Sequence, residues 1–151
     1  MTITPRLQLT VDCADPERLA RFWAAALGYQ VEPAPAPFAT WRAYWLSEGL
    51  TEEELGEGDC SDSVIDPKGA GPRIWFQQVP EGKVVKNRLH LDLGVGGGRS
   101  VPFGVRRERV LAEVARLETE GASQVRIADS EESNSFSALM HDPEENEFCV
   151  H

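Results

Sequence analysis

The sequence predicts an α+β protein in which one order of elements, strand, helix, three strands, occurs twice. Three observations predict it. Apolar and polar residues alternate over 7–11 and again over 89–93, the period of a strand with one buried face. A segment with helical spacing follows each of these stretches. An Asp-Pro pair then precedes the last strand of each half, Asp66-Pro67 in the first and Asp142-Pro143 in the second.

In the first half, Leu7, Leu9 and Val11 alternate with Gln8, Thr10 and Asp12. Asp15 stands where a helix cap belongs, Pro16 fits the first turn, and Leu19, Ala20, Phe22, Trp23, Ala26 and Leu27 form an apolar stripe that ends at Gly28. Residues 29–31 and 41–46 read as strands on either side of the Pro-rich stretch 32–38, and 73–78 alternates again. In the second half, Leu89, Leu91 and Leu93 alternate with His90 and Asp92, and a helix from about Val105 carries Val110, Leu111, Val114 and Leu117 to Gly121. Strands follow at 124–127, 136–140 and 147–150. Arg6-Leu7-Gln8-Leu9 lines up with Arg88-Leu89-His90-Leu91, so the repeat extends to residues. The expected modules are 5–78 and 88–151, joined by a linker at 79–87 within a single domain.

A chain of 151 residues buries about 70% of its unfolded surface and folds without a disulfide or metal staple. Its formal net charge of −10 repels a phosphate backbone, and no basic patch offsets it, so nucleic acid is not an expected partner. The start of the chain lacks the basic and apolar segments of a signal peptide, and no stretch approaches the roughly 20 apolar residues of a membrane span. A cytoplasmic protein with no membrane partner is expected. Cys13, Cys60 and Cys149 lack zinc-knuckle spacing and read as reduced thiols.

Alternation also sorts the polar residues. If the aliphatic positions pack beneath the helices, the opposite face presents Gln8, Thr10, Asp12, Trp75, Gln77, His90, Asp92, Glu147, Cys149 and His151. That face is either a wetted concave surface or an ordinary solvent-exposed sheet face.

The segments Val11-Asp12-Cys13-Ala14-Asp15-Pro16-Glu17 with Phe22-Trp23 and Leu27-Gly28, Lys86-Asn87-Arg88-Leu89-His90-Leu91-Asp92-Leu93, and Asp142-Pro143-Glu144-Glu145-Asn146-Glu147-Phe148-Cys149 together resemble the vicinal oxygen chelate superfamily. That group includes glyoxalase I, bleomycin-resistance proteins, fosfomycin-resistance enzymes and extradiol dioxygenases, and the chain looks especially like its actinobacterial glyoxalase-like subgroup. The resemblance implies two βαβββ modules forming a curled mixed sheet around a cavity, and a homodimer. It also implies a metal held by one residue from each of four strands. Carried over by motif, Gln8 and His90 occupy first-strand ligand positions, whereas Cys149 and, within a residue, Trp75 fall at the last-strand positions. Tryptophan cannot coordinate a metal.

Gln8, His90 and a Cys149 thiolate, or Glu147 in place of Cys149, suit zinc, with iron, nickel or manganese as other divalent candidates. The contrary expectation is no metal, with Trp75 stacking on a flat ligand or merely filling the face. His90 is either a hydrogen-bonded cavity histidine or, with Glu147 or Asp92, a general acid or base. The expected function is binding or sequestration of a small organic molecule, with Gln8, Trp75, Gln77, Asp92 and Cys149 as binding residues and the metal centre degenerate. The alternatives are a metal-dependent lyase, isomerase or dioxygenase, and a regulatory domain with a vestigial cavity.

Three other signals read as structural. The glycine-rich stretch 94–100 lacks a dinucleotide or phosphate-loop register and reads as a connector. Residues 48–66 hold eight acidic residues and no basic one, and read as a mobile solvated loop or a lid. Arg106-Arg107-Glu108-Arg109 reads as the exposed face of the second helix.

Overall fold

In the computed structural model residues 4–151 are described, and the chain divides after Gly82 into two units. The first contains β1 (Gln8–Cys13), α1 (Pro16–Leu27), β2 (Gln30–Val31), α2 (Trp41–Ser47), α3 (Glu52–Leu55), β3 (Ser63–Ile65) and β4 (Arg73–Gln78). The Asp15 carboxylate accepts a hydrogen bond from the Arg18 amide and caps α1, Pro16 takes its first turn, and Gly28 closes it with a positive φ of 66°. The stripe read from sequence is the buried face: Leu19, Ala20, Phe22, Trp23 and Ala26 pack toward β2, β3 and β4. Val64, Ile74 and Phe76 meet them from the sheet, each such side chain stabilising by roughly 1.5–3 kcal/mol when fully buried.

The sheet order is β1-β4-β3-β2, with β1 and β4 parallel and the other pairs antiparallel. The second unit contains β5 (Asp92–Leu93), α4 (Phe103–Thr119), β6 (Ser123–Ser130), β7 (Ser135–His141) and β8 (Glu147–Val150). Its order, β5-β8-β7-β6, repeats the first, again with a parallel pair between the opening and closing strands. Two four-stranded mixed sheets with helices, neither closed, make the α+β fold that the sequence predicts. Val110, Val114 and Leu117 of α4 pack over Phe136, Ala138, Met140, Phe148 and Val150. No helix among the described residues is long and apolar enough to cross a membrane.

Several local expectations are corrected. Residues 41–46 are helical, not extended: Thr40 caps α2 by accepting from the Ala43 amide, and Trp41, Tyr44 and Trp45 fall on one helical face. The third strand of the first unit is instead β3, whose Val64 is fully buried. The acidic stretch 48–66 is not a featureless loop. Thr51 and Glu54 form a capping box on α3, Arg42 donates to the Gly56 and Gly58 carbonyls and pairs with Glu52, and the Glu17 carboxylate accepts from the Asp59 and Cys60 amides.

Leu7 and Leu89, expected beneath the helices, are 72% and 85% exposed because each precedes the paired part of its strand. The ladder of β5 takes up only Asp92 and Leu93, although Leu91 still accepts from the Cys149 amide. Arg106 is buried rather than exposed. Its guanidinium donates to the Val101 and Asn134 carbonyls and lies over the Phe103 ring, which satisfies a charge that α4 carries inward.

Candidate functional site

The pleat of β1 and β4 decides what the face of the first sheet opposite α1 carries. In the parallel register Gln8 stands beside Arg73, Thr10 beside Trp75 and Asp12 beside Gln77. Ser63 of β3 stands on the other side of Trp75. The Arg73 guanidinium organises this surface. It donates to the Gln8 side-chain oxygen at 2.9 Å, to Ser63 Oγ at 2.7 Å, and through Nε and Nη2 to Glu32 Oε2 at 2.8 and 2.5 Å. Trp75 Nε1 donates to Asp62 Oδ2 at 2.8 Å, and Ser63 Oγ donates to the other oxygen of Asp62 at 2.7 Å.

α2 lies over this face and borders an open hollow of about 350 Å³, lined by Gln8, Asp62, Arg73 and Trp75 from the sheet side and by Pro35, Trp41, Tyr44 and Trp45 from the helix side. Trp41 and Trp45 stack with centroids 6.0 Å apart, and Tyr44 meets both edge-on. Trp41 Nε1 donates to the Glu32 carbonyl at 2.7 Å, which ties α2 to the segment after β2. Gln77, two residues beyond Trp75, is half-buried on the same side of β4 and does not line the hollow.

In the second unit His90, Asp92 and Cys149 come together. His90 Nδ1 and Asp92 Oδ1 are 2.9 Å apart, and the potential ligand atoms of the three residues all lie within 4.8 Å of one another. The register that pairs Asp92 with Cys149 produces this approach. Burial, then the Asp92 charge, pushes the Cys149 thiol above its ordinary range, so it carries its proton at neutral pH.

Glu147 stands apart from that group. Its carboxylate accepts from the Asn87 amide at 3.0 Å and pairs with Lys83 at 3.1 Å. The Asn87 amide above all holds its pKa down to about 2, which keeps it an anion without basic strength. Gln8 and Trp75 thus meet in the first unit, and His90, Asp92 and Cys149 in the second.

The four-position metal set implied by the resemblance does not fit these surroundings. The Gln8 oxygen faces a guanidinium, which opposes a second cation, and Trp75 offers no donor. The second unit by itself offers nitrogen, oxygen and sulfur donors of the kind zinc accepts.

Sequence reasoning missed Arg73, Asp62 and the α2 aromatics. The signals were present. Arg73 shares the parity of Trp75, and the 41, 44, 45 spacing of the aromatics is helical.

With this geometry in place, the chain belongs to the family described as the glyoxalase-like domain, matched over residues 8–151. Among solved structures it is similar to a glyoxalase/bleomycin resistance protein/dioxygenase family enzyme from Burkholderia phytofirmans, with TM-score 0.58, 14% identity, and 95% of this chain and 94% of that one covered. It is also similar to the fosfomycin resistance protein FosX from Mesorhizobium loti, with TM-score 0.53, 12% identity and 99% and 92% covered. A variant of FosX from Listeria monocytogenes, complexed with Mn(II) and a dihydroxypropylphosphonic acid, matches with TM-score 0.58, 10% identity and 99% and 90% covered. No curated protein matches the sequence. Identities this low carry the fold and not the substrate.

Proposed function

We propose that the protein binds a small organic molecule between α2 and the face of its first sheet opposite α1, and that the metal centre of its superfamily is degenerate there, as in binding or sequestration of the bleomycin-resistance kind. The observation that carries this reading is the Arg73 guanidinium on the Gln8 oxygen beneath a hollow walled by aromatic rings. A volume of about 350 Å³ lies at the small end of the roughly 300–1,000 Å³ range of ligand pockets. The dimer implied by the resemblance, the actinobacterial subgroup and a cytoplasmic location belong to the same proposal.

Tryptophan emission tests it, because Trp41, Trp45 and Trp75 all line the hollow. Titration with a panel of flat aromatic compounds is expected to change the emission in wild type and less so in Trp75→Phe. Unchanged emission across the whole panel in both proteins overturns the reading.

A second reading, a metal-dependent lyase, isomerase or dioxygenase, is favoured by one observation, the mutual approach of His90, Asp92 and Cys149. A zinc ion there would act as a Lewis acid toward substrate oxygens, while the His90–Asp92 pair offers a place to hold or accept a proton at the imidazole. Elemental analysis of protein purified without chelator or tag separates the two. Substoichiometric metal supports the first reading, and near-stoichiometric metal lost in His90→Ala supports the second.

A further inference from the structure

We infer that the hollow of the first unit selects an organic cation carried on a flat ring system, with the α2 and Trp75 rings as its walls and the Asp62 carboxylate as its counter-charge. The inference rests on the small-molecule reading above and specifies the ligand class. Two features of the lining carry it.

The first is what the rings present. The indole N–H of Trp41 is committed to the Glu32 carbonyl and that of Trp75 to Asp62. Both tryptophans are therefore fixed in orientation, and both offer a ligand their π faces rather than a donor. Trp41 and Trp45 lie at an interplanar angle of 26°, with Tyr44 at 85° to the first and 60° to the second, so the helix side supplies stacked and edge-on ring surface within one turn. The negative faces of indole and phenol rings attract a desolvated cation and stack on a flat one.

The second feature is the charge balance. The Arg73 guanidinium is matched by Glu32, which takes two of its hydrogen bonds. Asp62, by contrast, accepts from two neutral donors, Trp75 Nε1 and Ser63 Oγ, is linked to Arg73 only through that hydroxyl, and makes no direct ion pair among the described residues. The lining holds one carboxylate, Asp62, and one guanidinium, Arg73, and because Glu32 just outside it already pairs with Arg73, the three groups together carry one excess negative charge, within a chain whose formal net charge is −10. An anion would meet Asp62 and the ring faces at once. A neutral ring would gain the stacking alone. A flat cation gains stacking, cation–π attraction and the carboxylate together.

The test is isothermal titration calorimetry of the whole chain with three probes of one bicyclic size: N-methylquinolinium, 4-methylquinoline and quinoline-4-carboxylate, at a pH where the second is neutral. N-methylquinolinium is expected to bind roughly tenfold tighter than 4-methylquinoline and to weaken as salt is raised, with the carboxylate weakest. Asp62→Asn keeps an oxygen for Trp75 Nε1 and is expected to bring the cation down to the affinity of the neutral probe. Trp45→Ala is expected to weaken both.

Equal binding of the cation and the neutral probe overturns the inference and leaves the small-molecule reading standing. Tightest binding of the carboxylate overturns it as well and makes Arg73 the determinant. No binding of any of the three, with emission still changing across the broader panel, sinks the cation inference alone; silence in both experiments sinks the binding reading with it. The ranking of the three probes on wild type needs no variant, so a failure of Asp62→Asn to fold leaves the test intact.

Discussion

The two units share one plan and spend it differently. In each, a strand and helix lead into three strands, the opening strand pairs in parallel with the closing one, and an Asp-Pro turn precedes that closing strand. In the first unit, 31 residues separate β2 from β3, and they supply α2 and α3. That insertion lays aromatic rings against the sheet, where Arg73 ties the polar side chains together. In the second unit β6 runs into β7 through a short turn and no helix intervenes. The polar residues there are left as a cluster of His90, Asp92 and Cys149. A repeated fold thus fixes where strands lie, while the length of one connection decides whether the exposed face becomes a walled hollow or an open group of donors.

The Asp-Pro turns sharpen this comparison most. Asp142 is 3% exposed and accepts from the Glu144 and Asn146 amides and from the Asn146 side chain. Asp66 makes the same kind of turn in a more exposed place, accepting from the Lys68, Ala70 and Gly71 amides. Asp142→Ala is expected to cost about 1–3 kcal/mol in urea unfolding, since partly buried amides lose their acceptor. Asp66→Ala is expected to cost clearly less, because water replaces the carboxylate. Equal losses would show that burial does not distinguish the two turns.

Acid sensitivity comes next. The pKa of Glu147 is held at about 2 against an ordinary 4.5. A depressed folded pKa means that the stabilisation is fully present above the unfolded value and is lost as pH falls through the folded one. Thermal melts between about pH 5 and pH 2 are expected to fall more steeply in wild type than in Glu147→Gln. Parallel curves would remove Glu147 as the source.

The smallest effect concerns the donor cluster. With its thiol raised by burial and by Asp92, Cys149 is expected to alkylate slowly with iodoacetamide near neutral pH. Asp92→Asn is expected to speed it by a few-fold, read by peptide mass spectrometry. No change in rate would mean that burial alone sets the thiol.

Much of this was legible from residues. Asp15, Pro16 and Gly28 mark the limits of α1 because capping is local chemistry, and the alternation along 73–78 sorts Ile74 and Phe76 inward from Trp75 outward. Residues 41–46 were harder. A short aromatic run satisfies a strand reading by composition, and its helical marks are the 41, 44, 45 spacing and Thr40 at the capping position. Leu7 and Leu89 continue an alternating pattern past the point where pairing stops, and periodicity cannot report where a ladder ends. Gln8 and Trp75 were picked out by parity, but parity names a face and not a partner. It could not tell that the Gln8 oxygen would be taken by Arg73.

The sequence by itself determined the repeated α+β plan, the caps of α1, the Asp-Pro turns and the side of each strand on which Gln8, Trp75, Asp92 and Cys149 lie. These follow from interactions among residues close in the chain or from a period of two. Only the tertiary structure decided that Arg73 would join Gln8, Ser63 and Glu32, that α2 would roof Trp75 and Asp62, and that Asp92 would approach Cys149. Those contacts depend on strand register and on how a long insertion returns to the sheet, and both are set by packing between residues far apart in sequence.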